Sequence, residues 1–116
     1  MLVLMNSAMM PHEGDYRMVK IAAKDFFREI REAKTDEIRS YIGYTENIRL
    51  IKENTGIDIV ISKENTILEP GDIILVMKLI YRPENKRMYL REKAAQLSDF
   101  EFFRIFYNPD RMILPK

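Results

Sequence analysis

Short apolar runs separated by polar turns recur along the whole chain and predict a β-sheet. Proline and glycine punctuate these runs, as at Pro11 and Gly14, where a turn is expected. The run from residue 73 to 81 is apolar at nearly every position, which is typical of a central strand covered on both faces. The pattern predicts strands at Leu2–Met5, Met18–Ala22, Ile57–Ser62, Ile73–Tyr81 and Phe100–Tyr107.

Two further segments have the period of amphipathic helices. In Ala23–Ala33, two phenylalanines and an isoleucine fall on one stripe, and charged residues occupy the remaining positions. We expect the second helix to begin with Thr45 as its N-cap. It is expected to end at Gly56, because glycine suits the left-handed conformation that closes many helices. A weaker helical pattern covers Met88–Leu97.

These elements predict an α+β (mixed α/β) fold with a single central mixed β-sheet of four or five strands, flanked by helices. The expected order of elements is β-β-α-α-β-β-(α)-β. A chain of 116 residues suits one ordinary domain and is too short for two. We therefore expect one domain at residues 1–108, followed by a C-terminal tail at residues 109–116.

Composition narrows the range of partners. The net charge of +1 provides no broad basic field, which argues against binding to duplex DNA. The absence of cysteine excludes disulfides and thiolate metal sites and fits a reducing cytoplasm. With one histidine, His12, a His-rich metal site is excluded, so we predict neither a metal nor a cofactor. No apolar run is long enough to cross a membrane, and we expect a cytoplasmic protein, in the host cytoplasm if the chain is viral.

Three polar features lie at the ends of predicted elements. Asn6 and Ser7 follow the first strand, Gly43-Tyr44-Thr45 precedes the second helix, and Arg82 to Lys86 follow the central strand. A helix N-terminus presents free N–H groups and a positive dipole end, which suit a phosphate. The guanidinium of Arg82 offers a planar fork to phosphate oxygens. If the three features converge, they form a phosphate-binding pocket.

Each feature also has a plainer explanation. Gly43 can serve a turn alone, Tyr44 can be a half-buried packing residue, and Arg82 can be simply solvated. The aromatic run FEFFRIFY is a candidate platform for stacking RNA bases, but strand alternation would turn half of its rings inward. We favour a core or a dimer interface for that run.

The ordered series of these features resembles the viral type III anti-CRISPR ring nucleases, a family first described as a domain of unknown function in archaeal viruses, with bacterial and archaeal relatives. The segment YIGYTENIRLI, followed by NTG, is the most specific part of the resemblance. The other matching positions are Asn6-Ser7, Gly14-Asp15-Tyr16, Ser40 to Gly43, Thr55-Gly56, Gly71-Asp72 and Arg82.

The resemblance implies a ring-nuclease-like domain that acts as a homodimer. Such a dimer cradles cyclic tetra-adenylate, the second messenger of type III CRISPR defence. It cleaves this ring without metal, because a ribose 2′-OH of the ligand attacks the neighbouring phosphate and leaves a cyclic 2′,3′-phosphate end. A two-fold dimer suits a ligand of near two-fold symmetry.

The resemblance also assigns roles to residues. Tyr44 stands where the viral enzymes have a histidine regarded as the general acid; a phenol keeps its proton at neutral pH and can donate it. Stacking on adenine or a hydrogen bond to a phosphate is the alternative role for Tyr44. Arg82 would stabilise charge. The family's glutamate three residues later is displaced to Glu84, and Asn85 takes its place. The resemblance also implies a basic residue that holds phosphate after the second helix, for which Lys63 is the nearest candidate. With Asn6, Ser7, Gly43 and Thr45 from the polar features described above, it completes the predicted substrate-binding residues. His12 lies in the loop after the first strand, from which its side chain can reach the pocket.

Two alternatives remain open. The tyrosine and the displaced glutamate are compatible with a non-catalytic protein that sequesters or senses a cyclic oligonucleotide. The same fold can also serve a small interaction protein without a nucleotide ligand.

Overall fold

A five-stranded mixed sheet forms the centre of the computed structural model, which describes residues 1–10, 12–62, 64–80 and 96–108. The strands are β1 (Leu2–Met5), β2 (Asp15–Ile21), β3 (Ile38–Ser40), β4 (Ile73–Leu79) and β5 (Phe100–Asn108). Their order across the sheet is β2-β5-β4-β1-β3. β1 is parallel to β3 and β4, and β5 is antiparallel to β4 and β2. The predicted fold class is confirmed.

The central strand β4 is buried on both faces, as its apolar run predicts. Ile74 and Val76 on one face are 0% exposed, and so are Leu75 and Met77 on the other. Full burial of an aliphatic side chain stabilises the fold by about 1.5–3 kcal/mol. This short strand therefore contributes to two separate apolar clusters, one on each side of the sheet.

Both helices of the described chain pack on the same face of the sheet. They are α1 (Ala23–Glu32) and α2 (Thr45–Thr55). The predicted stripe of α1 is buried, and its Phe26 ring lies 4.9 Å from the ring of Phe102 on β5. Leu50 and Ile51 of α2 join the same cluster. Neither helix is long and apolar enough to cross a membrane, and the described residues contain no other candidate.

The segment between β1 and β2 helps to cover the opposite face. Ala8 and Met10 from this segment pack against the cluster that contains Val3, Val76 and Ile105. Near the end of this segment, the carbonyl of Glu13 accepts a hydrogen bond of 3.3 Å from the hydroxyl of Tyr107. Since β1 and β2 run in the same direction, this segment returns across the sheet from the carboxyl end of one strand to the amino end of the next.

The structure corrects two predictions about strands. The β-branched segment Ile57–Ser62 forms no strand, although Ile57 and Ile59 pack against the helix-side cluster. Its Val60 is 82% exposed, so the alternation of this segment does not match a sheet face. A strand that the pattern missed, β3, pairs with β1 instead. It contains only three residues, two of them polar, too few for a periodic signal.

Other boundaries shift by a few residues. β2 begins at Asp15, three residues before the prediction, because its full length pairs with β5. β4 ends at Leu79, and β5 confirms the predicted last strand. Most of the weak helical pattern at Met88–Leu97, up to position 95, lies outside the described residues. A short 3-10 helix forms at Leu97–Asp99. The predicted tail at 109–116 also lies outside them.

The two ends of α2 differ in how well the sequence predicts them. Thr45 is the first helical residue and not the N-cap; Tyr44 is the N-cap, with extended φ and ψ angles of −110° and 129°. Gly56 ends the helix in the left-handed region, with φ 77°, as predicted. Its amide donates to the carbonyl of Lys52 at 2.9 Å.

A buried hydrogen bond attaches the start of α2 to the central strand. The Nδ2 of Asn47, which is 1% exposed, donates to the carbonyl oxygen of Met77 at 2.7 Å. Buried polar groups are costly unless they are paired, so this bond fixes both the depth and the rotation of the first turn of α2. It holds the N-terminus of the helix beside the carboxyl end of β4.

We predict that Asn47→Ala lowers the free energy of unfolding by about 1–3 kcal/mol, because it removes the donor to a buried carbonyl. Urea denaturation of the variant and the wild type measures the difference. Asn65→Ala is the matched control, because Asn65 is exposed in a loop, and a change within about 0.5 kcal/mol is expected there. Equal stability of the two variants would contradict a structural role for the Asn47 bond.

We predict that Gly56→Ala lowers the free energy of unfolding by about 1–2 kcal/mol, because a side chain is disfavoured in the left-handed region. An added β-carbon would meet no atom within 4 Å, so the cost is conformational rather than steric. Gly43→Ala is the control: Gly43 has no positive φ, and its β-carbon would lie 3.7 Å from the carbonyl oxygen of Ser62. Thermal unfolding should rank Gly56→Ala below both the control and the wild type; the reverse order would refute the explanation.

Candidate functional site

The carboxyl ends of three parallel strands meet at one edge of the sheet. β1 lies between β3 and β4 in the sheet and leads into Asn6 and Ser7; β3 leads into Gly43 and Tyr44, and β4 ends at Leu79. In open sheets of this kind, ligands bind in the crevice at the carboxyl ends of the strands. A cavity of about 180 Å³ occupies this edge, lined by Asn6, Ser7, Tyr44, Lys78 and Leu79.

Two of the three polar features predicted from the sequence therefore converge. The Oδ1 of Asn6 accepts a hydrogen bond of 3.0 Å from the amide of Gly43, which joins the segments that follow β1 and β3. Tyr44 lies next to this contact, with 42% of its surface exposed. Thr45 is exposed at the start of α2 and does not line the cavity.

Gly43 is not required by the turn that contains it. Its φ is not positive, and the nearest described atom to an added β-carbon is the carbonyl oxygen of Ser62 at 3.7 Å, an ordinary contact. Among the described residues, nothing excludes a β-carbon at this exposed position. The turn therefore does not explain why residue 43 is a glycine. Close approach of a ligand to the backbone is compatible with the geometry.

The polar groups of the cavity are mainly hydrogen-bond donors. Ser7 Oγ already accepts a hydrogen bond from the amide of Met9 at 3.1 Å, so its hydroxyl hydrogen can point to a ligand. The Oδ1 of Asn6 is used by Gly43, and its Nδ2 group carries two donors. Lys78 adds an ammonium group. None of the described lining residues is a carboxylate, so the cavity suits an anion.

Helix α2 begins at the rim of the cavity with its N–H groups directed toward this edge. Its first turn contains one acidic residue, Glu46, whose carboxylate is held by Arg49 at 3.1 Å. The hydrogen bonds that Arg49 donates to Glu46 and, to a smaller extent, to Glu53 raise the pKa of Arg49 above its ordinary value. Glu46 is thus directed along the helix surface by its ion pair, and the positive end of the helix dipole remains at the rim.

Lys78 and the apolar Leu79 are the lining residues that the sequence analysis missed, and Lys78 is the charged one. It is the one charged side chain in β4, whose sequence is IILVMKL. Glu101 lies opposite it in the register of β5, but the Glu101 carboxylate pairs with Lys20 at 3.1 Å. Lys78 has no ion-pair partner within the described part of the chain. A single charge near the end of an otherwise apolar strand was the available signal for this residue.

His12 lies away from the cavity. Its Nε2 accepts a hydrogen bond of 3.0 Å from the amide of Leu68, and its ring centroid is 6.3 Å from that of Tyr107. Tyr107 is six positions along β5 from Glu101, the residue opposite Lys78. At the usual rise of a strand this corresponds to about 20 Å. The structure therefore does not bring His12 together with Tyr44.

Four other predicted site residues, Lys63, Arg82, Glu84 and Asn85, lie outside the described residues. Their roles stay predictions. Across residues 1–10, 12–62, 64–80 and 96–108, no group of three His, Asp or Glu side chains could hold a metal ion.

The aromatic run of β5 belongs mainly to the core. Phe100, Phe102 and Tyr107 are buried, while Phe106 is 40% exposed. The buried rings divide between the two faces of the sheet, as strand alternation predicts. They do not form a continuous exposed surface on which bases could stack.

Comparison with known proteins identifies the family and the fold. The family model described as STIV B116-like matches residues 2–102. Among solved structures, B116 of Sulfolobus turreted icosahedral virus (STIV) is similar, with 17% sequence identity and a TM-score of 0.68. The match covers 91% of this chain and 98% of the viral one, and at this identity it establishes the fold alone. No curated protein matches the chain.

The family model covers 101 positions of the 116-residue chain, counted from 2 to 102. These positions include β1 to β4, both helices and the described residues that line the cavity. The chain therefore belongs to the STIV B116-like family, which takes its name from a viral protein.

Proposed function

We propose that this protein binds cyclic tetra-adenylate at the carboxyl-end cavity and cleaves it without metal, and so counters or regulates type III CRISPR signalling. The observation that carries the proposal is the convergence of Asn6, Ser7 and Tyr44 in a donor-rich cavity without a described carboxylate. Hydrogen-bond donors and a cation suit the phosphodiester groups of such a ligand. The choice of a cyclic oligoadenylate rests on the resemblance to the ring nucleases.

The size of the cavity indicates how much of the ligand it would hold. Its volume of about 180 Å³ is below the roughly 300–1,000 Å³ of pockets that enclose a whole drug-sized ligand. One cavity would thus hold one phosphodiester linkage and part of its sugars. A second copy of the chain, related by a two-fold axis, would present an equivalent cavity to the opposite side of the ring. Binding of the complete ring is therefore proposed to require a homodimer.

The proposed reaction uses a nucleophile that belongs to the ligand. The ribose 2′-oxygen forms a bond to the adjacent phosphorus, its proton passes to solvent, and the bond from phosphorus to the 5′-oxygen breaks. The departing 5′-oxygen needs a proton, which the Tyr44 hydroxyl supplies as general acid. The products are a 5′-hydroxyl and a cyclic 2′,3′-phosphate. The protein contributes alignment, hydrogen bonds to the developing charge and this proton.

One observation favours a second candidate function, a binder that does not cleave. His12 is the only histidine, and it lies at the other end of the sheet from Tyr44. A tyrosine is a weaker acid than an imidazolium group, so catalysis through Tyr44 would be slow. A protein that retains the ring intact would sequester or sense the messenger.

We predict that Tyr44→Phe lowers the rate of ring cleavage by at least about 100-fold, because general acid catalysis typically contributes 10²–10⁴-fold. Binding should change by less than about fivefold, since the aromatic ring is retained. Radiolabelled cyclic tetra-adenylate, incubated with each protein and EDTA, should be resolved on a cleavage gel and a native binding gel. Tyr41→Phe is the matched control: this nearby hydroxyl donates to Ile67 at 3.3 Å and does not line the cavity.

The outcomes separate the candidates. Wild-type turnover by Tyr44→Phe would remove Tyr44 as the general acid. Recovery of the intact ring from the wild-type complex would support the binder. Neither binding nor cleavage by the wild type would contradict both functions and leave the fold to an interaction role.

A further inference from the structure

Lys78 interrupts the most apolar strand of the protein at its carboxyl end. Val76, two residues before it on the same face of β4, is 0% exposed, whereas Lys78 is exposed at the cavity. Buried positions favour apolar side chains, and the buried positions of β4 all have them. Lys78 therefore lies at the point where β4 passes from the core to the edge that carries the site.

No acidic side chain of the described residues forms an ion pair with Lys78. In an antiparallel sheet, Glu101 is the residue best placed to pair with Lys78, because the two are directly opposite. Its carboxylate instead pairs with Lys20 on β2, the strand on its other side. Within the described residues, the ammonium group has solvent and the cavity as its surroundings.

We propose that Lys78 forms an ion pair with a phosphodiester of the ligand and is a specificity-determining residue of the cavity. This inference rests on the proposed function, because it names the side chain that selects an anionic ligand at the same site. The donors of Asn6 and Ser7 line the same cavity and complete a set of groups that can surround phosphate oxygens. A lysine acts on phosphate as a point charge, so its contribution decreases with salt.

The salt dependence of binding tests this assignment directly. For single-stranded nucleic acid, each phosphate contact contributes about 0.7 to the slope of log affinity against log salt. Binding of cyclic tetra-adenylate to the wild type and to Lys78→Gln should be measured from about 50 to 200 mM NaCl. Because the proposed dimer brings two copies of Lys78 to one ring, we expect Lys78→Gln to bind about a hundredfold more weakly at the lowest salt, with a slope shallower by about 1.4.

Two further variants make the test specific. Lys78→Arg keeps the positive charge and should restore most of the affinity and the wild-type slope. Lys34→Gln removes one charge beyond α1, near the amino end of β3 and away from the cavity, and should leave the slope unchanged. Thermal unfolding of every variant establishes that each one is folded.

The possible results have distinct meanings. A wild-type slope in Lys78→Gln overturns the role of Lys78, while the proposed function stands because the ligand still binds. An equal loss of slope in Lys34→Gln also overturns it, since any lost charge would then have the same effect. Absence of binding by the wild type rejects the proposed function itself, and the inference with it.

Discussion

The parallel pairing of β1 with both β3 and β4 is the constraint on which the candidate site depends. Three strands that run in the same direction must release their chains at the same edge of the sheet. Residues 6–7, 43–44 and 78–79, which are distant in sequence, become neighbours for this reason. The buried bond from Asn47 to Met77 then fixes the start of α2 against this edge. Together with the bond from Gly43 to Asn6 and the packing of Leu50 and Ile51, it positions Tyr44 and the positive end of the helix dipole.

The division of the core between two faces explains how the site stays open. Both helices cover one face, and the segment after β1 crosses the other with Ala8 and Met10. The carboxyl edge thus lies between two well-packed layers, and its exposed polar groups do not weaken the core. In the proposed reaction, this scaffold supplies donors and a cation, and the ligand supplies the nucleophile. That division of labour is consistent with a small site built from strand ends and loops.

Much of this fold can be predicted from the sequence because the signals are local. The apolar runs of β1 and β4, the stripe of α1 and the left-handed Gly56 each reflect nearest neighbours along the chain. β3 could not be found in this way, since its three residues become a strand only through their pairing with β1. Ile57–Ser62 shows the opposite case: β-branched residues favour a strand, but its tertiary contacts place it in a loop.

The site can be predicted only in part from the sequence, because its local signals do not show which segments the sheet brings together. Asn6, Ser7 and Gly43 were indicated by their positions after strands and before a helix, and the parallel topology brings them together. Lys78 cannot be identified from the sequence, because its lack of an ion-pair partner among the described residues depends on the pairing of Glu101 with Lys20. The position of His12 in the loop after β1 predicts, by itself, that its side chain can reach the pocket. The direction in which that loop crosses the sheet carries it to the far end.

The most direct test of a ligand site at the carboxyl ends uses the glycines as reporters. Gly43 lies at this edge, whereas Gly14, Gly56 and Gly71 lie at the amino ends of strands or at the far end of α2. Amide NMR spectra should be recorded while unlabelled cyclic tetra-adenylate is added to ¹⁵N-labelled protein. We expect the Gly43 resonance to shift strongly and the other three to change little. Dominant shifts at Gly14, Gly56 or Gly71, or no shift at Gly43, would contradict a site at this edge.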